Sequence, residues 1–305
     1  MSERQQGFDT LQIHAGAHPD PATGARQVPI YQTTAYQFRD ADHAAKLFNL
    51  QEVGYIYSRL TNPTVSALAE RITHLEGGVG GICCSSGHAA QIMALFPLMM
   101  PGCNIVASTR LYGGSYTQLT QTIKRFGWSA RLVDFDDLDA VRAAVDDDTR
   151  AIFCESIANP GGYITDLDAI AAVANDVGLP LIVDNTSATP YLCRPIEHGA
   201  TLVVNSTTKY LTGNGTVTGG AVVDSGKFDW AASGKFPSLA SPEPAYHGLN
   251  FYEALGGMAF TFHSIAVGLR DLGMTMNPQG AHYTLMGIET LWLGMQKHVE
   301  NAQIV

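Results

Sequence analysis

Short, β-branched apolar runs alternate with segments of helical periodicity from about residue 62 to residue 225. The strand candidates are "GICCSS" (81–86), "NIVAS" (104–108), "SARLVDF" (129–135), "AIFCES" (151–156), "PLIVDN" (180–185) and "TLVVNS" (201–206). Helical stretches such as "DLDAIAAVANDVG" (166–178) separate several of them. Strands this apolar, alternating with helices, are typical of parallel sheets covered on both faces. The sequence therefore predicts an α/β fold with a mostly parallel sheet.

The regions on either side of this alternation have a different character. Residues 1–61 are rich in Pro and Gly and contain no long periodic segment, which predicts an extended N-terminal arm. Residues 62–265 are expected to form the large α/β domain, which opens on a helix with Asn62 as N-cap and Pro63 at the first helical position. Residues 266–305 are expected to begin a linker and a second, C-terminal domain.

Composition excludes several classes of protein. The formal net charge is −10 and the pI is near 5.4, which argues against a nucleic-acid or anionic-membrane partner. Five cysteines without a CxxC pair favour reduced thiols over a disulfide framework or a zinc site, and no metal is expected. The N-terminus lacks an apolar signal core, and the longest apolar runs are too short to span a bilayer. We therefore expect a cytoplasmic protein.

Three predicted strands end in residues whose functional groups could bind a ligand or take part in a reaction. "PLIVDNTSATP" ends in Asp184, "TLVVNSTTK" leads through Ser206 and Thr208 to Lys209, and "GICCSSGHAA" reaches Ser86 and Gly87 at a helix start. Because functional groups gather beyond the carboxyl ends of parallel strands, these residues are expected to share one rim. The rim would then offer a carboxylate, an amine and the amide N–H groups of a helix N-terminus, which favour an anion.

Each of these residues also has a plainer interpretation. Ser86 could simply cap the helix, Asp184 could form a turn, and Lys209 could lie on the surface after a strand. The flanks of Lys209 are apolar or hydroxylic, which predicts a partly desolvated amine, suited to act as a Schiff-base nucleophile or general base. An acid, a reactive amine and a phosphate cradle together are what pyridoxal 5′-phosphate (PLP) requires, and the conjunction is more specific than any one member.

At this point the sequence resembles a known family, the PLP-dependent enzymes of cysteine and methionine metabolism. The resemblance covers nearly the whole chain. Its motifs, in family order, are "YIYSRLTNPT" (55–64), "CSSGHAA" (84–90), "STRLYGGSY" (108–116), "ESIANPGG" (155–162), "IVDNT" (182–186) and "NSTTKYLTGNG" (205–215). The resemblance implies a fold type I PLP-dependent transferase.

The resemblance also implies roles for individual residues. Lys209 would carry the cofactor and act as the general acid–base, and Asp184 would pair with its ring nitrogen. Tyr112 would stack on the ring and could assist the leaving group, although it could equally be a core aromatic. The other cofactor-binding residues that the resemblance implies are Ser86, Gly87 and His88 with Ser206 and Thr208 at the phosphate, Asn159 at the cofactor hydroxyl or the substrate carboxylate, Thr186 beside the ring, and Tyr57 and Arg59 reaching the phosphate of a neighbouring subunit.

The implied reaction is a γ-replacement in methionine biosynthesis. The segments "YHGLNF" (246–251) and "GAHYTLMGIETL" (280–291) are most similar to the branch that converts O-acetyl-L-homoserine and sulfide to L-homocysteine and acetate. A cystathionine γ-synthase, a γ- or β-lyase, and a non-catalytic PLP-binding scaffold remain alternatives. A homotetramer built from dimers with shared active sites is implied.

Two departures from the family pattern are evident. His88 stands where an apolar residue is more usual. The chain stops at Val305 inside an apparent helix, where family members continue into a domain with the substrate-carboxylate arginine, so an incomplete substrate site is expected.

Overall fold

A computed structural model describes residues 6–305. The strands are β1 (Gly80–Cys84), β2 (Asn104–Ser108), β3 (Ser129–Val133), β4 (Thr149–Glu155), β5 (Leu181–Asp184), β6 (Leu202–Asn205) and β7 (Gly220–Asp224). They form one sheet in the order β1-β7-β6-β5-β4-β2-β3. Within the described residues β7 alone runs opposite to the other six strands of this sheet. The mostly parallel sheet predicted from the sequence is therefore confirmed.

Helices surround the sheet. The α-helices are α1 (Phe8–His14), α2 (Ala41–Phe48), α3 (Pro63–Glu76), α4 (Gly87–Leu95), α5 (Gly113–Thr120), α6 (Leu138–Ala143), α7 (Leu167–Asp176), α8 (Thr189–Leu192), α9 (Pro237–Ala240), α10 (Phe251–Leu255), α11 (Ala259–His263), α12 (Arg270–Leu272), α13 (Pro278–Ile288) and α14 (Leu291–Ile304). Short 3₁₀ segments lie at Thr122–Phe126, Pro195–His198, Pro244–Tyr246 and Gly256–Met258, and a π segment, Ser264–Leu269, joins α11 to α12. Within residues 6–305 no helix is long and apolar enough to cross a membrane.

The sheet is buried on both faces because successive side chains of a strand point to opposite sides. In β2, Ile105 and Ala107 belong to one hydrophobic cluster, while Val106 belongs to the other. All five residues of β2 are buried, as are all four of β5. This double coverage explains why the strands read as continuous apolar runs.

Helix α3 begins as the sequence predicts. The Asn62 side chain accepts a hydrogen bond from the amide of Thr64 at 3.0 Å, and Pro63 occupies the first turn. Gly77 ends the helix with φ of 79°, a left-handed conformation that favours glycine. Leu68, Ile72 and Leu75 are fully buried beneath the sheet edge.

The N-terminal region holds two helices that the sequence analysis did not anticipate. Helices α1 and α2 are only 7 and 8 residues long, shorter than the stretch of sequence over which helical periodicity is assessed. The Asp40 carboxylate caps α2 by accepting from the amide of His43 at 2.7 Å. The rest of this region is irregular, in keeping with an arm.

The last helices lie against the large domain. Ala281, Leu285 and Ile288 of α13 are fully buried and share a hydrophobic cluster with Leu68 and Ile72 of α3. The boundary expected at residue 266 stays a prediction.

Candidate active site

A cavity of about 830 Å³ opens beyond the carboxyl ends of β4, β5 and β6. Parallel strands end at the same edge of a sheet, and this edge is where ligands bind in open α/β folds. Ten of the twelve predicted site residues line the cavity: Ser86, Gly87, His88, Tyr112, Asn159, Asp184, Thr186, Ser206, Thr208 and Lys209. Residues far apart in sequence are thus brought to one site by the topology.

Asp184 is the last residue of β5 and is buried. One carboxylate oxygen accepts from the amide and the hydroxyl of Thr186, at 3.0 and 2.5 Å, and the other accepts from Gln91 Nε2 at 3.1 Å. Burial raises the pKa of Asp184, while the hydrogen bonds from Thr186 and Gln91 act in the opposite direction. A cationic ring nitrogen is the kind of partner that would keep this carboxylate ionised.

Lys209 follows β6 and lines the same cavity. Its side chain is exposed in the single chain, and the partial desolvation expected from its flanking residues stays a prediction. The amine is therefore accessible to a carbonyl compound that enters the cavity.

The phosphate cradle predicted at α4 has the expected backbone form. The Ser86 hydroxyl caps the helix by accepting from the amide of Ala89 at 3.1 Å, so the plainer role for Ser86 is real. The first-turn amides of Gly87 and His88 lack intrahelical acceptors, as in every α-helix. They open onto the cavity together with the positive end of the helix dipole.

Two glycines allow the backbones around this cradle to approach closely. A Cβ on Gly87 would lie 2.7 Å from Ser206 Cβ, and one on Gly220 would lie 2.2 Å from the Ser86 carbonyl oxygen. Helix α4 packs against the turn after β6 at Gly87, and the start of β7 packs against Ser86 at Gly220, without room for a side chain at either glycine. This packing places Ser206 beside the first-turn amides.

The hydroxyls beside Lys209 differ in their hydrogen bonding. Thr208 Oγ1 donates to the Gly219 carbonyl at 3.2 Å and accepts from the Gly219 amide at 3.0 Å. The amide of Ser206 donates to Thr186 Oγ1 at 2.7 Å. Thr186 therefore links the Asp184 carboxylate to the turn that carries Ser206, and Thr208 is already occupied by backbone groups.

Tyr112 and His88 form a pair of rings in the cavity wall. Their centroids lie 6.0 Å apart with an interplanar angle of 29°. A Cβ on Gly114 would meet both rings at 2.6 and 2.7 Å, so only glycine at this position leaves the rings in place. The His88 ring thus lies against Tyr112, and its charge when protonated would lower the pKa of Asp184.

Tyr57 and Arg59 lie outside the cavity of their own chain. The Arg59 guanidinium is 5.4 Å from the centroid of the Tyr57 ring and donates to the Arg270 carbonyl, while Tyr57 is 40% exposed. The structure does not bring these two residues to the other ten. Their predicted role at a neighbouring subunit stays a prediction.

Several residues that the sequence analysis did not assign also line the cavity. Gln91 lies one turn after Gly87 on α4, and its Nε2 contacts both Asp184 and the Ser115 hydroxyl, the latter at 2.8 Å. Glu155 ends β4 beside Asp184 and opens the motif "ESIANPGG", so its position at a strand end was a usable signal. The remaining unassigned polar or aromatic residues of the wall are Ser187, Tyr210, Thr218 and His298.

The residues present fit PLP. The cavity offers an accessible amine at Lys209, a buried carboxylate at Asp184 and a helix N-terminus at α4 that favours an oxyanion. A Cβ at position 87 or 220 would collide with residues of the cradle, so glycine at both positions preserves its form.

Comparison with known proteins agrees with this chemistry. Residues 9–305 match the family described as "Cys/Met metabolism PLP-dependent enzyme". The chain belongs to this family. It is an enzyme family that uses PLP, so the cofactor inferred from the cavity is that of the family.

Two curated proteins are similar to this chain over nearly its whole length. The chain is 48% identical to a homocysteine synthase of Schizosaccharomyces pombe, covering 99% of this chain and 71% of that protein. It is 45% identical to an O-acetyl-L-homoserine sulfhydrylase of Leptospira meyeri, covering 96% of this chain and 68% of that protein.

A solved structure shares the fold. The crystal structure of a putative O-acetylhomoserine (thiol)-lyase from Campylobacter jejuni superposes with a TM-score of 0.95 at 41% identity, covering 98% of this chain and 74% of that one. That protein contains an N′-pyridoxyl-lysine-5′-monophosphate. The expectation of a fold type I PLP-dependent enzyme is confirmed.

Proposed function

We propose that this enzyme converts O-acetyl-L-homoserine and sulfide to L-homocysteine and acetate. The observation that carries the proposal is the meeting of Lys209, Asp184 and the N-terminus of α4 at one cavity. The names of the relatives, homocysteine synthase and O-acetyl-L-homoserine sulfhydrylase, support the choice of substrate. The Cγ–O bond to acetate breaks, a Cγ–S bond forms with hydrosulfide, and no net oxidation or reduction occurs.

PLP, when bound, supplies an aldehyde that combines with amines and a pyridine ring that delocalises negative charge from the substrate Cα. The first-turn amides of α4 and the Ser206 hydroxyl would hold its phosphate. The phenol ring of Tyr112, with the His88 ring packed against it, would cover one face of the cofactor ring. Asp184 would hold a proton on the ring nitrogen, which keeps the ring an effective electron acceptor.

Lys209 is the group that moves protons. Its free amine would remove the proton from Cα, transfer protons at Cβ while acetate leaves, and return a proton to Cα at the end. Because Lys209 is exposed and lines the cavity, its amine is free to reach a substrate bound there. Tyr112 could donate a hydrogen bond to the departing acetate, because its phenol is 47% exposed at the same wall.

We further propose that the enzyme is cytoplasmic and assembles at least as a dimer, and as a homotetramer of such dimers. Tyr57 and Arg59 support the assembly, because their side chains lie on the surface away from their own cavity. A guanidinium is well suited to the phosphate of a neighbouring site.

The experiment is a product assay on the purified protein loaded with PLP. Homocysteine and acetate should form from O-acetyl-L-homoserine only when sulfide is added, and a Lys209→Ala variant should form neither. Ammonia and a 2-oxo acid without sulfide would show a lyase instead. Cystathionine formed with added cysteine would show a cystathionine γ-synthase, and no product from any of these substrates would favour a cofactor-binding scaffold.

A further inference from the structure

Glu155 is a buried carboxylate at the cavity wall with no role in the proposed chemistry. Its side chain is 5% exposed, and its two oxygens accept from different backbone amides. Oε1 accepts from the amide of Tyr112 at 2.6 Å, and Oε2 accepts from the amide of Asn159 at 3.0 Å. These amides belong to two separate loops, one after β2 and one after β4, and both loops line the cavity.

We propose that Glu155 is a positioning residue, whose carboxylate fixes the Tyr112 loop and the Asn159 loop relative to each other around the bound cofactor. For its effect on turnover the inference rests on the proposed function. Its effect on the two loops does not depend on that function.

The hydrogen bonding of the Tyr112 loop shows how the Glu155 carboxylate can fix its position. Tyr112 is the N-cap residue of α5 and has no side-chain cap of its own. Its ring direction therefore depends on where the backbone at residue 112 is held, and the hydrogen bond from its amide to Glu155 is the short contact there. In its ionised form the Glu155 carboxylate makes a charge-assisted hydrogen bond to this amide, which is about twice as strong as a neutral one.

Burying the Glu155 carboxylate at this position costs free energy. It lies directly beside Asp184 in the register of β4 and β5. Burial raises the pKa of Glu155 to about 7, and the neighbouring Asp184 adds to the rise. An apolar residue at the end of β4 would avoid this cost, so the two amide contacts are the compensation that the structure shows.

Glutamine is the informative substitution because it has nearly the same shape. Its single carbonyl oxygen can accept from only one of the two amides, and its NH₂ group would face the other. Aspartate is shorter by one methylene and can reach one loop at most. Asp224→Asn is the matched control, because Asp224 is also buried, has a pKa raised by burial to about 7, accepts from the Gly226 amide at 2.8 Å and does not line the cavity.

The test measures hydrogen exchange on the PLP-loaded protein by mass spectrometry, in peptides that cover residues 109–116 and 156–163. Glu155→Gln and Glu155→Asp should each accelerate exchange by roughly tenfold or more in at least one of these peptides, because a hydrogen bond to a charged group is lost. In the same variants the pyridoxyl adduct on Lys209 should still form after borohydride reduction, while kcat/KM falls by roughly tenfold or more. Asp224→Asn should change neither peptide nor kcat/KM.

Two results would overturn the inference. Unchanged exchange in both peptides would show that Glu155 does not fix the loops. Accelerated exchange with unchanged kcat/KM would show that turnover does not depend on the loops being fixed by Glu155. If Glu155→Gln does not fold, Glu155→Asp decides by the same readouts. A wild-type protein without adduct and without product would refute the proposed function instead, and the exchange comparison would still decide the positioning.

Discussion

The hydrogen bond between Asp184 and Gln91 depends on the orientation of the Gln91 side-chain amide. Gln91 Nε2 donates to Asp184 and to the Ser115 hydroxyl, while Gln91 Oε1 is buried without a partner among the described residues. A rotation of the Gln91 amide by half a turn would therefore present an acceptor to residue 184 without moving the chain. This makes Asp184→Asn a clean way to remove the charge alone.

We expect Asp184→Asn to bind PLP and to lose turnover. The amide of asparagine can donate to the rotated Gln91 and still accept from Thr186, so the melting temperature should change little. Without the carboxylate, the cofactor ring nitrogen loses the group that holds its proton, and kcat should fall by about 10²-fold or more. Steady-state kinetics and thermal unfolding check this, and a kcat near that of the wild type would contradict it.

At the scale of elements, the cradle depends on the close packing of α4 against the turn after β6. A Gly87→Ala substitution places a Cβ at 2.7 Å from Ser206 Cβ, nearer than side-chain carbons approach. Because the turn must move away from the first-turn amides, we expect the Kd for PLP to rise by roughly tenfold or more. Equilibrium dialysis of the apoprotein with PLP measures this.

Gly294→Ala provides the comparison for Gly87→Ala. Gly294 lies inside α14, and a Cβ there would meet no other atom within 4 Å. This variant should bind PLP as the wild type does and should be slightly more stable, because alanine favours the helix. Equal PLP affinity in Gly87→Ala would show that the cradle tolerates a side chain.

Another element-scale contact ties α3 to the strand ends beneath the cavity. Glu76, the last residue of α3, is fully buried, and its Oε1 accepts from Asn185 Nδ2 at 3.1 Å and from Asn205 Nδ2 at 2.8 Å. Burial raises the pKa of Glu76 from 4.5 to about 7, while both amides and the Arg194 charge act to lower it, and the half-buried Cys193 is the other titratable neighbour. The protonated form is thus the one that the fold favours.

This sets the direction of a pH effect on stability. A carboxyl whose pKa is raised on folding stabilises the protein fully below pH 4.5, and the contribution is lost as pH rises through about 7. In Glu76→Gln the amide oxygen can keep both contacts at the Oε1 position, and the group cannot ionise. The weaker contact from Asn185 Nδ2 to Oε2, at 3.3 Å, is lost at every pH. The stability of this variant relative to the wild type should therefore rise by roughly 3 kcal/mol between pH 4.5 and 7 and stay level above. Chemical denaturation at several pH values measures it, and a difference independent of pH would contradict the assignment.

Particular residues show what could be predicted from the sequence and what could not. Asp184, Lys209 and Ser86 were predictable because each follows an apolar strand, and strand ends of a parallel sheet converge. Glu155 follows the same rule, yet its partners are backbone amides of two loops whose positions depend on the whole fold. The exposure of Lys209 in the single chain could not be predicted, because flanking hydroxyls indicate a polar wall and not the open volume in front of it.

At the scale of the whole molecule, we propose that Tyr57 and Arg59 complete the site of a second chain, because both are exposed and neither lines the cavity of its own chain. Lys209→Ala and Arg59→Ala should each be inactive alone. In a mixed dimer, one of the two sites would combine Lys209 of one chain with Arg59 of the other. Random mixing after dissociation should therefore restore up to about a quarter of wild-type activity.

The control for this mixing experiment uses two variants that damage the same part of the site. Lys209→Ala mixed with Asp184→Asn should recover nothing, because both residues line the cavity of one chain and no site in the mixed dimer regains both. Absence of recovery in the Lys209→Ala and Arg59→Ala mixture, with mixed dimers present, would refute the shared site.

The central claim is that Lys209 holds PLP in this cavity. The most direct measurement is borohydride reduction of the PLP-loaded protein, followed by peptide mass mapping. We expect a pyridoxyl adduct on Lys209, within the peptide that contains "NSTTKYLTGNG". An unmodified Lys209 after PLP is supplied, or an adduct on another lysine in its place, would contradict it.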